Sequence, residues 1–150
     1  MPSAFDNETA TELLDRIDQL RPDSPRTWGT MSAPQMVCHL TDAMKVTLGE
    51  IPAEFRPGPL SSRFVRWLIV SVLPIPPGRA KTLPAFITSR PDDWAQDVTM
   101  LKDKFGEVVA RGRSANPSWA IHPAFGAMST RQWGLLTAKH MDHHLRQFGV

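Results

Sequence analysis

Absences narrow this sequence before any motif does. It has a single cysteine, Cys38, so no internal disulfide can form, and that suits a reducing compartment. The 17 basic residues barely outnumber the 15 acidic ones and lie scattered. The pI near 9.0 therefore reflects a small excess, not a nucleic-acid-binding patch. No apolar run can span a bilayer: the most apolar stretch, Phe64 to Ile75, contains Arg66 and falls short of the ~20 residues a spanning helix needs. No signal-peptide pattern opens the chain. There is no Walker loop, no dinucleotide-binding glycine fingerprint, no Gly-x-Ser-x-Gly elbow, and no cysteine pair for a zinc finger or iron–sulfur cluster. The expectation is a soluble, cytoplasmic protein that binds neither nucleic acid nor membrane.

What is there suits one folded domain over residues 1–150. The chain has 150 residues, 41% of them hydrophobic, enough to bury a core and too many for a disordered chain. A first helix capped by Asn7 or Thr9 should run to about Leu20, with Leu13, Leu14, Ile17 and Leu20 at helical spacing and Pro22 stopping it. Ser32-Ala33-Pro34-Gln35 fits a capping box, and Gly49 a helix stop. Between them Met36, His39, Leu40, Ala43, Val46 and Thr47 share a face. A third helix is expected from Asp92 to Arg111, with a seam of Trp94, Val98, Leu101, Phe105 and Val108 and with Gly112 ending it. Ser129-Thr130-Arg131-Gln132 opens a fourth, whose inner stripe is Trp133, Leu136, Thr137, His140, His144 and Phe148. No strand alternation or repeat is visible. The fold class expected is all-α, a four-helix bundle.

Residues 50–91 differ from the rest. They contain Pro52, Pro57, Pro59, Pro74, Pro76, Pro77, Pro84 and Pro91, which exclude regular helix over most of the stretch. Ser61 to Leu73 can still form a short apolar helix. A connection this long suggests a crossover that lets the second and third predicted helices run parallel. Its Phe55, Phe64, Trp67, Leu68 and Phe86 argue for packing over the body of the domain.

The chemistry concentrates in histidine. His140 and His144 stand one helical turn apart, where side chains share a face about 5–6 Å apart at Cβ. His39 points inward from the second predicted helix. Three neutral imidazoles suit zinc, nickel, iron or copper and leave a coordination position for water or substrate. The competing reading is that His140 and His144 are satisfied core or groove histidines. His143 lies off the stripe, either partly exposed or beside the ligands; at i,i+3 it also competes with His144 as the partner of His140. Asp42 and Asp142 have two readings each: orienting a ligand imidazole, or a solvated carboxylate. His122, in a loop before Pro123, shapes a turn or lines the pocket. Cys38 reads as a small buried hydrophobe and not a nucleophile.

Trp28-Gly29-x-Met31-Ser32-Ala33-x-Gln35-Met36-x-x-His39-Leu40-x-Asp42 resembles the second-helix signature of DinB/YfiT-like proteins, and His140-x-x-x-His144 their C-terminal motif. His122-Pro123-x-Phe125-Gly126 and His143-His144-Leu145-Arg146-Gln147-Phe148-Gly149 resemble an uncharacterised branch of that superfamily. The resemblance implies a bundle of down-up-up-down connectivity and a divalent metal, zinc or nickel, on His39, His140 and His144. It also implies thiol-dependent transferase or isomerase chemistry among relatives, with low-molecular-weight thiols as cofactors, and homodimers. The expected function is therefore a metal-dependent enzyme, a thiol-dependent transferase or hydrolase acting on a small molecule. The alternative is a non-catalytic bundle that binds a small molecule or partner and keeps a structural or vestigial metal.

Overall fold

A computed structural model describes residues 2–77 and 84–150. The described residues are helical, without a β-strand; one isolated bridge pairs His122 with Gly126. The helices are α1 (Asn7–Gln19), α2 (Ala33–Leu48), α3 (Arg63–Trp67), α4 (Trp94–Arg113) and α5 (Thr130–Gln147).

Local chemistry sets most of the helix starts. Ser32 Oγ accepts from the Gln35 amide while the Gln35 side chain accepts from the Ser32 amide, closing the expected box. Ser129 and Gln132 repeat it at α5. Asp93 caps α4 through the Gln96 amide. Gly49 ends α2 at φ 81°, the left-handed region where a side chain is strained. The start of α1 differs from expectation. Asn7 and Thr9 both lie inside the helix, and the extended residue before it is Asp6, whose carboxylate accepts from the Ser3 amide instead of capping.

α4 also runs past its expected stop. Gly112 is helical and Ser114 follows the last turn. The reason is space rather than backbone freedom: a Cβ on Gly112 would collide with the Phe5 ring. The glycine lets the N-terminal segment lie against α4, where the Arg113 guanidinium donates to the Phe5 carbonyl.

The long helices share one core. Leu13 and Ile17 of α1, Met36, Leu40 and Met44 of α2, Leu101, Phe105 and Val108 of α4, and Met141 and Leu145 of α5 meet in it. α2 is the most enclosed: only Pro34, Gln35 and Lys45 escape burial, so the single expected stripe underestimates how much of it is covered. Polar contacts give the directions. Ala4 pairs with Gly134 and Arg16 with Asp142, so α1 and α5 run together. Asp18 pairs with Lys102 while Phe5 meets Arg113, so α4 runs against α1. Arg111 donates to the Leu48 carbonyl, and Asp42 holds Thr88 and Ser89 just before α4, so α2 and α4 run in the same direction.

Returning the chain between them requires the segment after Gly49. Within it α3 continues as a wider π-type turn, Leu68–Val72. The Lys139 ammonium of α5 donates to the carbonyls of Ile69, Val70 and Leu73 at 2.7–2.8 Å, satisfying acceptors that the helix end leaves free. Val70 is buried beneath this clamp and Leu68 is half-buried. The expectation that the aromatic residues here pack inward needs correction. Phe86 is half-buried against the core, but Phe64 is 68% exposed, Trp67 50% and Phe55 36%. The π-type turn after α3 is the part that meets α5, through Val70 and Lys139. Phe64 and Trp67 are left against each other, ring centroids 6.0 Å apart.

The glycines provide a paired test. Gly112→Ala should lower stability by about 1–3 kcal/mol through overpacking against Phe5. Gly106→Ala, in the same helix with open space around it, should raise stability by up to ~1 kcal/mol. Urea unfolding of both chains checks this; equal effects would contradict it.

Candidate metal centre

α2 and α5 bring the three expected histidines together. Ring centroids of His39 lie 5.0 Å from His140 and 4.7 Å from His144, and those of His140 and His144 lie 4.8 Å apart. The His39 Nε2 atom lies 3.0 Å from His140 Nε2 and 3.1 Å from His144 Nε2. His39 and His144 are buried and His140 is half-buried. Among the described residues this is the one group of three or more potential ligands able to hold a metal ion.

The tautomers follow from the groups behind the rings. His39 Nδ1 lies 2.8 Å from the Phe86 carbonyl, which can only accept, so Nδ1 carries the proton. His144 Nδ1 lies 2.9 Å from Gln147 Oε1. The Gln147 amide cannot be turned round, because its nitrogen donates to the Trp28 carbonyl at 2.7 Å. His144 Nδ1 is therefore also protonated. Two buried Nε2 lone pairs then face each other at 3.1 Å with no proton between them. A divalent cation relieves that repulsion. Burial opposes a proton in its place. It is the main cause that pushes His39 below the ordinary imidazole value, His144 to about 3 and His140 well down, neighbouring imidazoles adding to each.

The spacing also fits an ion. Imidazole–zinc bonds run about 2.0–2.1 Å, and two such bonds to donors this far apart enclose roughly 90–100°. Three imidazoles would occupy one face of the ion and leave the other to further ligands.

Asp42 fulfils neither of its expected readings. It is fully buried, and its carboxylate accepts from the Thr88 amide at 2.6 Å, the Ser89 amide at 2.7 Å and the Ser89 hydroxyl. It thereby fixes the chain just after Phe86, whose carbonyl holds His39. It reaches the site through that backbone, and its charge also favours the protonated form of His39. Asp142 reads as a surface group, paired with Arg16 and Arg146. His143 is half-buried, edge-on to His144 at 5.0 Å and 5.6 Å from the Trp28 ring, outside the trio. Cys38 is buried and its thiol is pushed up to about 11, chiefly by that burial, so it is no nucleophile.

His122 shapes a turn. Its Nδ1 accepts from the Ala124 and Phe125 amides at 3.1 Å, and its backbone pairs with Gly126. Its ring joins Phe86, Phe125 and Trp133 in an aromatic wall. Burial pushes it down to about 4.

Two supports were not read from the sequence. Gln147 stands at i+3 from His144, a spacing that marks a neighbour on the helix. Gly29 explains part of the Trp28-Gly29 motif: its φ is 78°, and a Cβ there would lie 2.6 Å from Gln147 Nε2. The glycine makes room for the amide that orients His144. The Phe86 carbonyl carries no sequence signal, since any residue supplies one.

A family model described as a protein of unknown function (DUF1569) matches residues 3–149. No curated protein and no solved structure matches the chain.

Two outcomes follow from this geometry. Asp42→Ala strands two backbone donors and a hydroxyl, so it should lower stability by about 1–3 kcal/mol or more in urea unfolding; an unchanged midpoint would refute the clamp. Metal-free protein should also weaken in mild acid. Unfolded histidines take up protons near 6.5, whereas His122 and His144 resist to about 4 and 3. Between those values the unfolded chain binds more protons, so stability falls as pH falls, on the order of 1 kcal/mol per pH unit for each histidine. Urea midpoints from pH 7 to pH 5 check it, and a flat profile would contradict it.

Proposed function

We propose that this chain, which belongs to the DUF1569 family, is a metal-dependent enzyme built on a DinB/YfiT-type four-helix bundle. His39, His140 and His144 hold a divalent ion, zinc or nickel. One observation carries the reading: the opposed Nε2 lone pairs of His39 and His144, each fixed by a hydrogen bond behind its ring. Their fit to three-imidazole coordination supports a site whose ion keeps a position for a further ligand. The bundle assignment draws support from the shared core and from the directions of α1 with α5 and α2 with α4.

When bound, such an ion supplies Lewis acidity that lowers the pKa of a thiol or water reaching it. The protein's own residues do the positioning. Phe86 and Gln147 keep the unprotonated nitrogens of His39 and His144 facing the same point. Asp42 holds the Phe86 segment in place, and the aromatic wall of Phe86, His122 and Trp133 restricts water on the covered side. The reaction class that fits is transfer to, or hydrolysis by, an activated thiol or water, with a low-molecular-weight thiol as the partner of the site.

Elemental analysis of protein purified without a nickel column tests the metal. About one divalent ion per chain is expected, lost in His140→Ala. At 100 times the Kd, the ion should stabilise the chain by about 2.7 kcal/mol. Gln147→Leu should weaken metal binding by roughly 10–100-fold by freeing the His144 ring. Failure to take up metal after reconstitution, with His140→Ala indistinguishable from the parent, would overturn the reading.

A further inference from the structure

The basic residues are scattered in the sequence but not in the fold. Between Glu54 and Asp92 the chain carries no acidic residue. Arg63 and Arg66 of that stretch meet Arg131, from the first turn of α5, around a cleft of about 400 Å³. Among the described residues none of the three pairs with a carboxylate. No aspartate or glutamate lines the cleft; Ser71 and Ser129 add hydroxyls, and Trp67 adds a flat wall. Arg66 is anchored by donating to the Phe125 carbonyl at 2.9 Å, yet its Nε is buried without a partner among the described residues. The first turn of α5 holds no acidic residue, so the positive end of the helix dipole adds to the three guanidiniums.

We propose that this cleft binds the phosphate group of a small molecule. Three cations around one concavity favour a dianion over a singly charged carboxylate, and guanidinium groups match phosphate oxygens in pairs. The volume leaves room for part of the molecule that carries the phosphate, with the Trp67 ring beside it. The site shares no residue with the histidines: Leu135, the lining residue of α5 nearest to them, lies five residues before His140, or about 7.5 Å along the helix. The phosphate can belong to a dissolved metabolite or to a phospholipid headgroup, since Phe64 and Trp67 stand exposed next to the cleft.

Calorimetric titration of the full chain with pyrophosphate and with inorganic phosphate tests the proposal. It is run on metal-stripped as well as metal-loaded protein, so that an ion at the histidines cannot account for the signal. A parallel arm sediments the protein with phosphatidate-containing vesicles and with phosphatidylcholine vesicles. Saturable binding is expected, weakened at least tenfold in Arg63→Gln/Arg131→Gln, with metal content unchanged. Both side chains are exposed, so folding should survive; if the double variant loses its helical circular dichroism, Arg131→Gln alone serves. Binding to soluble phosphates assigns a dissolved ligand, and binding to phosphatidate vesicles alone assigns the headgroup. Binding to neither, or binding that the folded variant retains in full, overturns the proposal.

Discussion

The arrangement around the histidines depends on one buried carboxylate. Among the described residues Asp42 pairs with no cation; two amides and a hydroxyl from Thr88 and Ser89 satisfy it. Leaving that many lone pairs unmatched in the interior would be strongly unfavourable, so the returning chain has one placement on α2 that it must adopt. That placement delivers the Phe86 carbonyl to His39 one turn earlier on α2, and it sets α4 going in the same direction as α2. A side chain that never touches the other two rings therefore decides which nitrogen of His39 faces them.

The other end of the site is held in a similar way. Gln147 reads His144 with its oxygen and Trp28 with its nitrogen, so the connection before α2 and the end of α5 fix each other. His140 is the third corner of the trio, its ring centroid 5.0 Å from His39 and 4.8 Å from His144. The arginine cleft lies farther back along α5, beside the segment that Lys139 clamps. α5 thus contributes to both the histidine cluster and the arginine cleft, and α2 to the histidines.

Legibility in the sequence tracked distance along the chain. The boxes at Ser32 and Ser129, the stop at Gly49 and the shared face of His140 and His144 are local, involve residues three or four apart, and could be read directly. His39 could be phased inward because its helix has a strong apolar stripe. Gly112 was misread because a glycine near a helix end signals a stop, whereas here it makes space for Phe5, a contact 107 positions away in sequence. Asp42 was misread because polarity suggests water, and its partners lie 46 and 47 residues on. Phe64 and Trp67 were misread because apolar character alone does not say which side of a short helix finds a neighbour. The arginine cluster was hidden for the same reason: Arg131 joins Arg63 and Arg66 only through tertiary packing.

The contacts among the histidine rings span 101 and 105 residues, about two-thirds of the chain. Contacts of that span close long loops, so they are expected to form after the local helices. The rings then meet late on the folding path. Whatever holds them together strengthens interactions that the folding transition state lacks. It slows unfolding while leaving the speed of folding almost untouched, so the centre acts as a latch on the finished protein and not as its nucleus.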